Sequence, residues 1–426
     1  MKILIVGSGG REHALAWSFK KRDPGRQLFC ANGNAGIAEL AECVDISPEN
    51  IDALLEFARS EAIDLTFVGG ETALSLGIVD RFEAAGLSII GPGGNAARLE
   101  SSKSFAKNFM ARHEIPTAAY FNAAGEAEAL AELNSGRFGA DSDPVVIKAD
   151  GLAAGKGVVV AENRSAGAAA VTAMFAGQIV SKEAVKSVVI EECLVGKEVS
   201  LLMFCDGRNF VLMPPTRDHK RIGEGDTGDN TGGMGTVTDP SLLRPEETSE
   251  IVKKIVLPTL DGAREDGFPI KGILFLGLMM TEQGPKVLEY NVRFGDPETQ
   301  AILVNLETDL VEICYAILEG SLDKQLISWK EGSSACVILA AENYPKSPRK
   351  GDSISGLAEA AVDENVWVFH SGTSSGNDGE ILTAGGRVLG VTATASNLSN
   401  ALHRAYKAAN KINWKGMYFR TDIGKT

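Results

Sequence analysis

The sequence predicts a multidomain α/β and α+β protein that opens with a doubly wound parallel sheet. Three observations carry this. The first hundred residues alternate short apolar runs with amphipathic stretches, each apolar run ends in a small-residue turn, and after residue 143 the pattern changes to paired β-like runs joined by glycine-rich loops. The apolar runs cover 3–6, 27–31, 64–68 and 88–90, and helical patterns cover 13–21, 51–60 and 73–85. Ligands of open α/β sheets bind at the carboxyl edge of the strands. That edge reads Gly7-Ser8-Gly9-Gly10, Asn32-Gly33-Asn34-Ala35-Gly36, Gly69-Gly70-Glu71-Thr72 and Gly91-Pro92-Gly93-Gly94.

Further along, a helix is expected over 102–113, ending before Pro116, and the Ala/Glu/Gly-rich stretch up to Asp143 reads as variable surface. Strands at 144–149 and 157–161 flank a glycine-rich hairpin loop, 150–156. Strands at 187–191, 198–205 and 209–214 lead into a long loop, 221–235. A helix near 245–266, strands at 272–281 and 285–291, and a helix near 299–319 follow. The last hundred residues read as a small α/β domain, with a strand at 334–340, hairpins around Gly376 and Gly385, and a helix at 397–412.

Composition removes several function classes. The 426 residues suit about three domains. A net charge of −14 repels polyanions, so neither nucleic-acid coating nor adhesion to an anionic membrane is expected. Cys30, Cys43, Cys193, Cys205, Cys314 and Cys336 form no CxxC pair, which predicts reduced thiols in a cytoplasm rather than a zinc knuckle or disulfide framework. The apolar start, 1–6, is too short for a signal peptide, and the longest apolar run, 273–280, falls far below the roughly 20 residues of a membrane span.

Three motifs carry chemistry. Gly7-Ser8-Gly9-Gly10 lacks the third glycine of a dinucleotide fingerprint, because Glu12 stands there, and the second strand ends without an acid for a ribose hydroxyl. A nest of N–H groups for a phosphate monoester suits the loop better, with a plain tight turn as the alternative. The segment Gly151 to Gly157 has the wrong glycine spacing for a Walker motif, and a strand follows it. A hairpin carrying Lys148 and Lys156 could instead close over nucleotide phosphates, or be an ordinary surface turn. In 287–298, Glu289, Asn291 and Arg293 share one strand face, while Leu288, Tyr290 and Val292 form an apolar opposite face. Glu289 and Asn291 offer hard oxygens for a phosphate-held Mg²⁺, and Arg293 offers a fork for carboxylate or phosphate. A solvated polar face is the alternative. Asp218-His219-Lys220-Arg221 and the glycine-rich turn 229–235 add cations and backbone donors to this block.

Taken together, GGREHALAW (9–17), GNAG (33–36), IKADGLAAGKGV (147–158), VIEE (189–192), DHKR (218–221), DTGDNTGGMG (226–235), RFGDPETQ (293–300) and GGRVL (385–389) resemble the glycinamide ribonucleotide synthetase family of the ATP-grasp superfamily from end to end. The resemblance implies four parts: a phosphoribosylamine-binding domain (1–120), an ATP-grasp lid (121–192), a central ATP-grasp domain (193–326) and a C-terminal domain (327–426). It implies ATP as co-substrate with Mg²⁺ or Mn²⁺, and glycine and 5-phosphoribosylamine as substrates. It also implies the second step of purine synthesis, carried out by a cytoplasmic protein that is compatible with a monomer. Since the sequence stops soon after the last domain, a monofunctional enzyme is expected.

The resemblance also distributes roles. Lys103, Lys148, Lys156 and Gly155 would meet the nucleotide, Glu191, Glu192 and Leu194 would form the adenine hinge, and Glu198 would take the ribose hydroxyls. Glu289 and Asn291 would hold the metal, and Arg293, Asp218 and Lys220 would serve the reacting groups. Gly9 and Gly10 would bind the phosphate of phosphoribosylamine, with Asn34, Glu71 and Thr72 near its ribose or amine. Ser8 replaces the family's usual Asn, 70–74 lack two usual prolines, and Val292 replaces a common Cys. Three other readings remain open: another ATP-grasp carboxylate–amine ligase, a silent nucleotide-binding regulator and, more distantly, a Rossmann oxidoreductase. The lid reading predicts that Gly151 to Gly157 is cut by protease without ATP and protected with it; equal cleavage in both states would refute ligand-linked closure.

Overall fold

The computed structural model describes residues 1–152, 157–180, 185 and 187–425. Its N-terminal sheet is wholly parallel, in the order Glu42–Val44, Gln27–Asn32, Lys2–Gly7, Leu65–Val68, Ile89–Ile90. Alternation along its strands feeds two cores. Leu4, Val6, Phe29 and Ala31 pack on one face, and Ile3, Ile5, Leu28 and Cys30 on the other, as a sheet covered on both sides requires.

A second sheet of four antiparallel strands runs Tyr120–Ala123, Val188–Glu192, Val145–Ala149, Val158–Ala161. Its core is its own, built from Val145, Ile147, Val171, Met174, Val188 and Ile190. The third sheet has nine strands. From Gly284–Asn291 it passes through Lys271–Thr281, Lys197–Asp206, Thr216–Asp218 and Gly235–Thr238 into Ser333–Ala340, Arg387–Ala395 and Val366–His370, with Phe210–Leu212 beside Lys197–Asp206. Helix starts follow the polar residues that precede them: Asn50, Ser102, Asn163 and Asn397 each accept a backbone N–H from the first turn. No helix among the described residues is long and apolar enough to cross a membrane.

Several sequence expectations need correction. The stretch up to Asp143 is not mere surface, since it contains Tyr120–Ala123 and the helix Glu126–Leu133. The helix expected over 73–85 is two, Glu71–Ser75 and Ile78–Ala84, broken at the left-handed Gly77. That expected over 299–319 is also two, Glu298–Leu303 and Leu310–Glu319, the second begun by Asp309, whose carboxylate accepts Val311 N at 3.0 Å. The loop 221–235 contains a hairpin, Arg221–Gly223 with Thr227–Asn230. Glu42–Val44, Gly94–Ser101 and Arg164–Phe175 carried too short or too weak a pattern to be read.

Leu288 does not join the apolar face. A bulge opposite Gly277/Leu278 shifts the register, so Val287 is buried with Tyr290 and Val292 while Leu288 is half-buried.

The N-terminal and central sheets share packing: Phe67 stacks on Phe294 at 6.0 Å between ring centroids and meets Phe19 edge-on at 5.9 Å. Phe67→Ala empties that junction and should cost about 3–5 kcal/mol of stability, read by urea unfolding; a loss below about 1 kcal/mol would show that the junction does not hold the sheets together.

Candidate active site

The site forms where strand ends from all three sheets converge. Lys148, on Val145–Ala149, is buried; its Nζ lies 3.0 Å from Glu191 Oε1 on the neighbouring strand and donates to Leu288 O at 2.9 Å. Lys107, from the helix Lys103–Arg112, meets the other oxygen of Glu191 at 3.1 Å and donates to Thr117 Oγ1 at 2.7 Å. One buried carboxylate therefore serves two buried ammonium groups. Burial, only partly offset by Glu191, pulls the Lys107 ammonium down to about 8. Lys103 donates to Gly151 O at 3.1 Å, and burial lowers it as well.

Glu289 lies in register with Gly277, Ser200 and Thr216 across four strands, so all four share one face. A side chain at Gly277 would press on Glu289 Cγ at 3.1 Å, so glycine there leaves the carboxylate its space. Burial favours protonation of Glu289, but Lys220, Lys148, Lys103 and Arg293 outweigh it and keep the group ionised. Lys220 Nζ stands 2.6 Å from Glu198 Oε1 and 3.7 Å from Glu289 Oε1. Despite burial, these two carboxylates push it well above the ordinary lysine range. Asp218, one strand further on, accepts His219 N at 2.8 Å and Thr236 Oγ1 at 3.3 Å; burial and the nearby Glu298 push its carboxyl up. Burial likewise raises Glu298.

Arg293 ties this face to the N-terminal edge. Its Nε donates to Glu71 Oε2 at 3.3 Å, and an Nη lies 2.8 Å from Glu100 Oε1 and 3.2 Å from Asn291 Oδ1. Burial opposes ionisation of Glu71, yet Arg293 and Arg11 hold it at about 2. Arg11 donates to Phe294 O at 2.9 Å, and Arg387 donates to Asp296 O at 2.5 Å and to Gly232 O, completing the connection to the glycine turn before Gly235.

The predicted residues therefore divide. Lys103, Lys148, Glu191, Glu198, Lys220, Glu289, Asn291 and Arg293 gather in one crevice with Asp218 beside them, and Glu71 meets Arg293 at its rim. Glu192 points away, accepting Ala119 N at 2.9 Å and Lys286 Nζ at 3.2 Å. Leu194 sits half-buried in the connection 193–196, and Thr72 in the first turn of Glu71–Ser75. Gly155 and Lys156 lie outside the described residues.

Two residues expected at the N-terminal loop are already engaged within the protein. Gly9 N donates to Glu12 Oε2 at 2.6 Å, which leaves the following first-turn N–H groups without an intrahelical partner. All the polar atoms of the Asn34 side chain are engaged: it donates to Ser8 O and His370 O at 2.8 and 2.9 Å and accepts from Gly36 N and Ile37 N at 3.0 Å each. Through these bonds Asn34 shapes the loop. Near Gly10, the buried Ser371 Oγ and Gln300 Oε1 have no hydrogen-bond partner.

Sequence reasoning missed Lys107, Glu100, Glu298, Asp296 and Arg387. The last three stand inside quoted motifs, whereas Lys107 and Glu100 lie on helices with no local sign of a partner far along the chain. Among the described residues no cluster of three or more His, Cys, Asp or Glu forms. Glu289 and Asn291 suit a cation that arrives on a polyphosphate, which needs only one or two protein carboxylates.

A strand-borne acid ringed by lysines beside a small separate sheet is the arrangement expected of an ATP-grasp ligase. The comparisons agree with this and narrow it. Residues 1–100, 101–299 and 334–426 match the N, ATP-grasp (A) and C domains of phosphoribosylglycinamide synthetase, and the chain belongs to that family. Curated relatives named phosphoribosylamine–glycine ligase include that of Vibrio vulnificus, 46% identical over 100% of this chain and 98% of its own length, and that of Haemophilus influenzae, 47% identical with the same coverage. The crystal structure of phosphoribosylamine–glycine ligase from Thermotoga maritima superposes with a TM-score of 0.85 at 33% identity, covering 99% of this chain and 100% of that one. Biotin carboxylase from Campylobacter jejuni shares the fold at 17% identity, with a TM-score of 0.69, 99% of this chain and 93% of that one.

The ion pair between Arg293 and Glu71 has a pH signature. Folded Glu71 is held at about 2 against an ordinary 4.5. Between those values the unfolded chain binds a proton that the folded chain refuses, so the pair's stabilisation is complete above the upper value and is lost as pH falls through the lower one. Glu71→Gln should flatten that part of the acid limb in urea unfolding; parallel limbs for the two proteins would refute the pairing.

Proposed function

We propose that this chain joins glycine to 5-phosphoribosylamine at the expense of ATP, giving glycinamide ribonucleotide, ADP and phosphate. The observation that carries the reading is the crevice in which four cations surround Glu289 while Arg293 reaches across to Glu71 at the carboxyl edge of the N-terminal sheet. Phosphoryl-handling groups and a glycine-loop edge thus open onto each other.

Amide formation from a carboxylate and an amine is uphill in water, so the carboxylate must first be activated. In this reading a glycine carboxylate oxygen attacks the γ-phosphorus, ADP leaves, and glycyl phosphate forms. The amine of phosphoribosylamine then attacks the acyl carbon and phosphate departs. No enzymic nucleophile is needed; the work is positioning and charge neutralisation. Lys103 and Lys148 neutralise phosphate oxygens, Lys220 faces the junction where the two substrates meet, and Gly155 and Lys156 are assigned to the closing loop. The backbone groups of Glu191, Glu192 and Leu194 line the adenine hinge, and Glu198 accepts from the ribose hydroxyls. Glu289 and Asn291 would hold Mg²⁺ or Mn²⁺, which supplies charge neutralisation between the phosphates.

Arg293 orients the glycine carboxylate, and the half-buried Asp218 and buried Glu298 offer acceptors for its ammonium group. Gly10, with the unpartnered Ser371 Oγ and Gln300 Oε1, receives the phosphoribosyl group, and Glu71 and Thr72 flank it. In this reading the four parts are 1–120, 121–192, 193–326 and 327–426.

The test is ADP release from Mg-ATP with glycine and freshly generated phosphoribosylamine, omitting each in turn. Release should require both. Release with a different acid would move the substrate assignment, and no release despite ATP binding would leave a nucleotide-binding regulator. Glu289→Ala should lower ADP release by at least about 10²-fold in a folded protein, and near-normal turnover would sink the metal assignment.

A further inference from the structure

The hairpin that follows Lys220 is held by the far end of the chain. Its strands, Arg221–Gly223 and Thr227–Asn230, pair with each other in a two-stranded sheet of their own. Such a hairpin is marginal in water without further support. We propose that the segment 418–424, anchored by Arg420, is a positioning strap that keeps Asp218 and Lys220 set for the glycine-dependent step; the proposal rests on the ligase reading above.

Arg420 is fully buried, with 0% of its surface exposed. One guanidinium nitrogen donates to Arg221 O at 3.0 Å and to Asp226 Oδ1 at 2.8 Å, while the other two grip the Asp422 carboxylate at 2.7 and 2.8 Å. Asp422 Oδ2 also accepts Gly225 N at 2.7 Å, at the hairpin turn. Tyr418 donates its hydroxyl to Ile222 O at 2.8 Å, and Thr421 Oγ1 donates to Glu224 Oε1 at 2.6 Å. The last bond is the most telling: Gly424 N donates to His219 Nε2 at 3.0 Å. That acceptor role puts the ring proton on Nδ1, which faces Gly235 O at 3.0 Å, and so fixes the residue between Asp218 and Lys220 from both sides.

The strap is itself moored to the C-terminal unit. Tyr418 and Ala340 exchange backbone bonds at 2.7 and 3.0 Å, and Tyr406 donates its hydroxyl to Arg420 O at 2.9 Å. A planar fork that spans a carbonyl and two carboxylates has no substitute in the ammonium of lysine. None of these groups touches Lys103, Lys148 or Glu191, so losing the strap should spare nucleotide binding.

The experiment compares Arg420→Met and Arg420→Lys with the unaltered full-length chain. Misplacing Lys220 should lower kcat by about 10²-fold and raise KM for glycine by about tenfold. ATP affinity, measured by calorimetry, should stay within about twofold. A purely structural role would lower kcat in proportion to the folded fraction and leave KM for glycine unchanged, which would overturn the proposal. Two milder variants keep the test decisive if Arg420→Met yields too little folded protein to assay. Tyr418→Phe and Thr421→Val each cut one strap bond at an exposed position, and should raise KM for glycine at unchanged ATP affinity. Hydrogen exchange provides a readout independent of activity. Amides of 221–230 should lose protection in the Arg420 variants while those of 145–149 keep theirs, and equal protection would also overturn the strap. Failure of the unaltered chain to make product would instead count against the ligase reading, with exchange still deciding the strap.

Discussion

The site depends on one buried carboxylate, Glu191, shared between the ammonium groups of Lys107 and Lys148. Burying an ammonium is costly unless it is paired, and one carboxylate cannot fully compensate two. The remaining positive charge extends towards Lys103 and Glu289, where it keeps an acid ionised that burial would otherwise protonate. The strands can carry this charge because their other faces are packed, Ile147 and Ile190 in the core of the small sheet and Val287 and Tyr290 in the central one. This excess of positive charge is complementary to a polyphosphate.

Arg293 makes the second half of the site depend on the first. Its guanidinium is divided among Glu71, Glu100 and Asn291, groups that come from the N-terminal unit and from its own strand. A carboxylate substrate would therefore bind to an arginine already oriented by three partners. Less conformational entropy is lost on binding than with a free side chain. Phe67 and Phe294 stack immediately behind it, so the position of the fork follows from apolar packing between sheets.

Local pattern made much of this legible in advance. The parallel N-terminal sheet followed from strand-turn-helix alternation, and the placement of Glu289 and Asn291 on one strand followed from period-two spacing, because both are set by neighbours in sequence; Arg293 instead lies in the bend just past the end of the strand at Asn291. Leu288 was misplaced because a bulge depends on the partner strand, which the segment itself does not encode. The resemblance placed Asn34 near the ribose or amine, and its side-chain bonds to Ser8 and, far along the chain, to His370 carry no local signature. Lys107 and Glu100 were invisible for the same reason: their partners, Glu191 and Arg293, lie far along the chain.

The sheets also divide the molecule mechanically. The central strands continue without a break into the C-terminal ones through the pairing of Gly235–Thr238 with Ser333–Ala340, so these parts cannot separate without tearing a nine-stranded sheet. The four-stranded sheet is different, since its apolar core is closed on itself. Its ties to the rest are largely polar: Lys148 to Leu288 O, Lys107 to Glu191, Lys286 to Glu192, and Asp150 accepting Ser104 N at 3.2 Å. Polar ties can be exchanged for water or substrate at little net cost, whereas a shared apolar core cannot be opened so cheaply. The four-stranded sheet is thus the part that can shift with the least loss of buried apolar contact, whereas Arg293 sits beside the apolar junction of the N-terminal and central sheets.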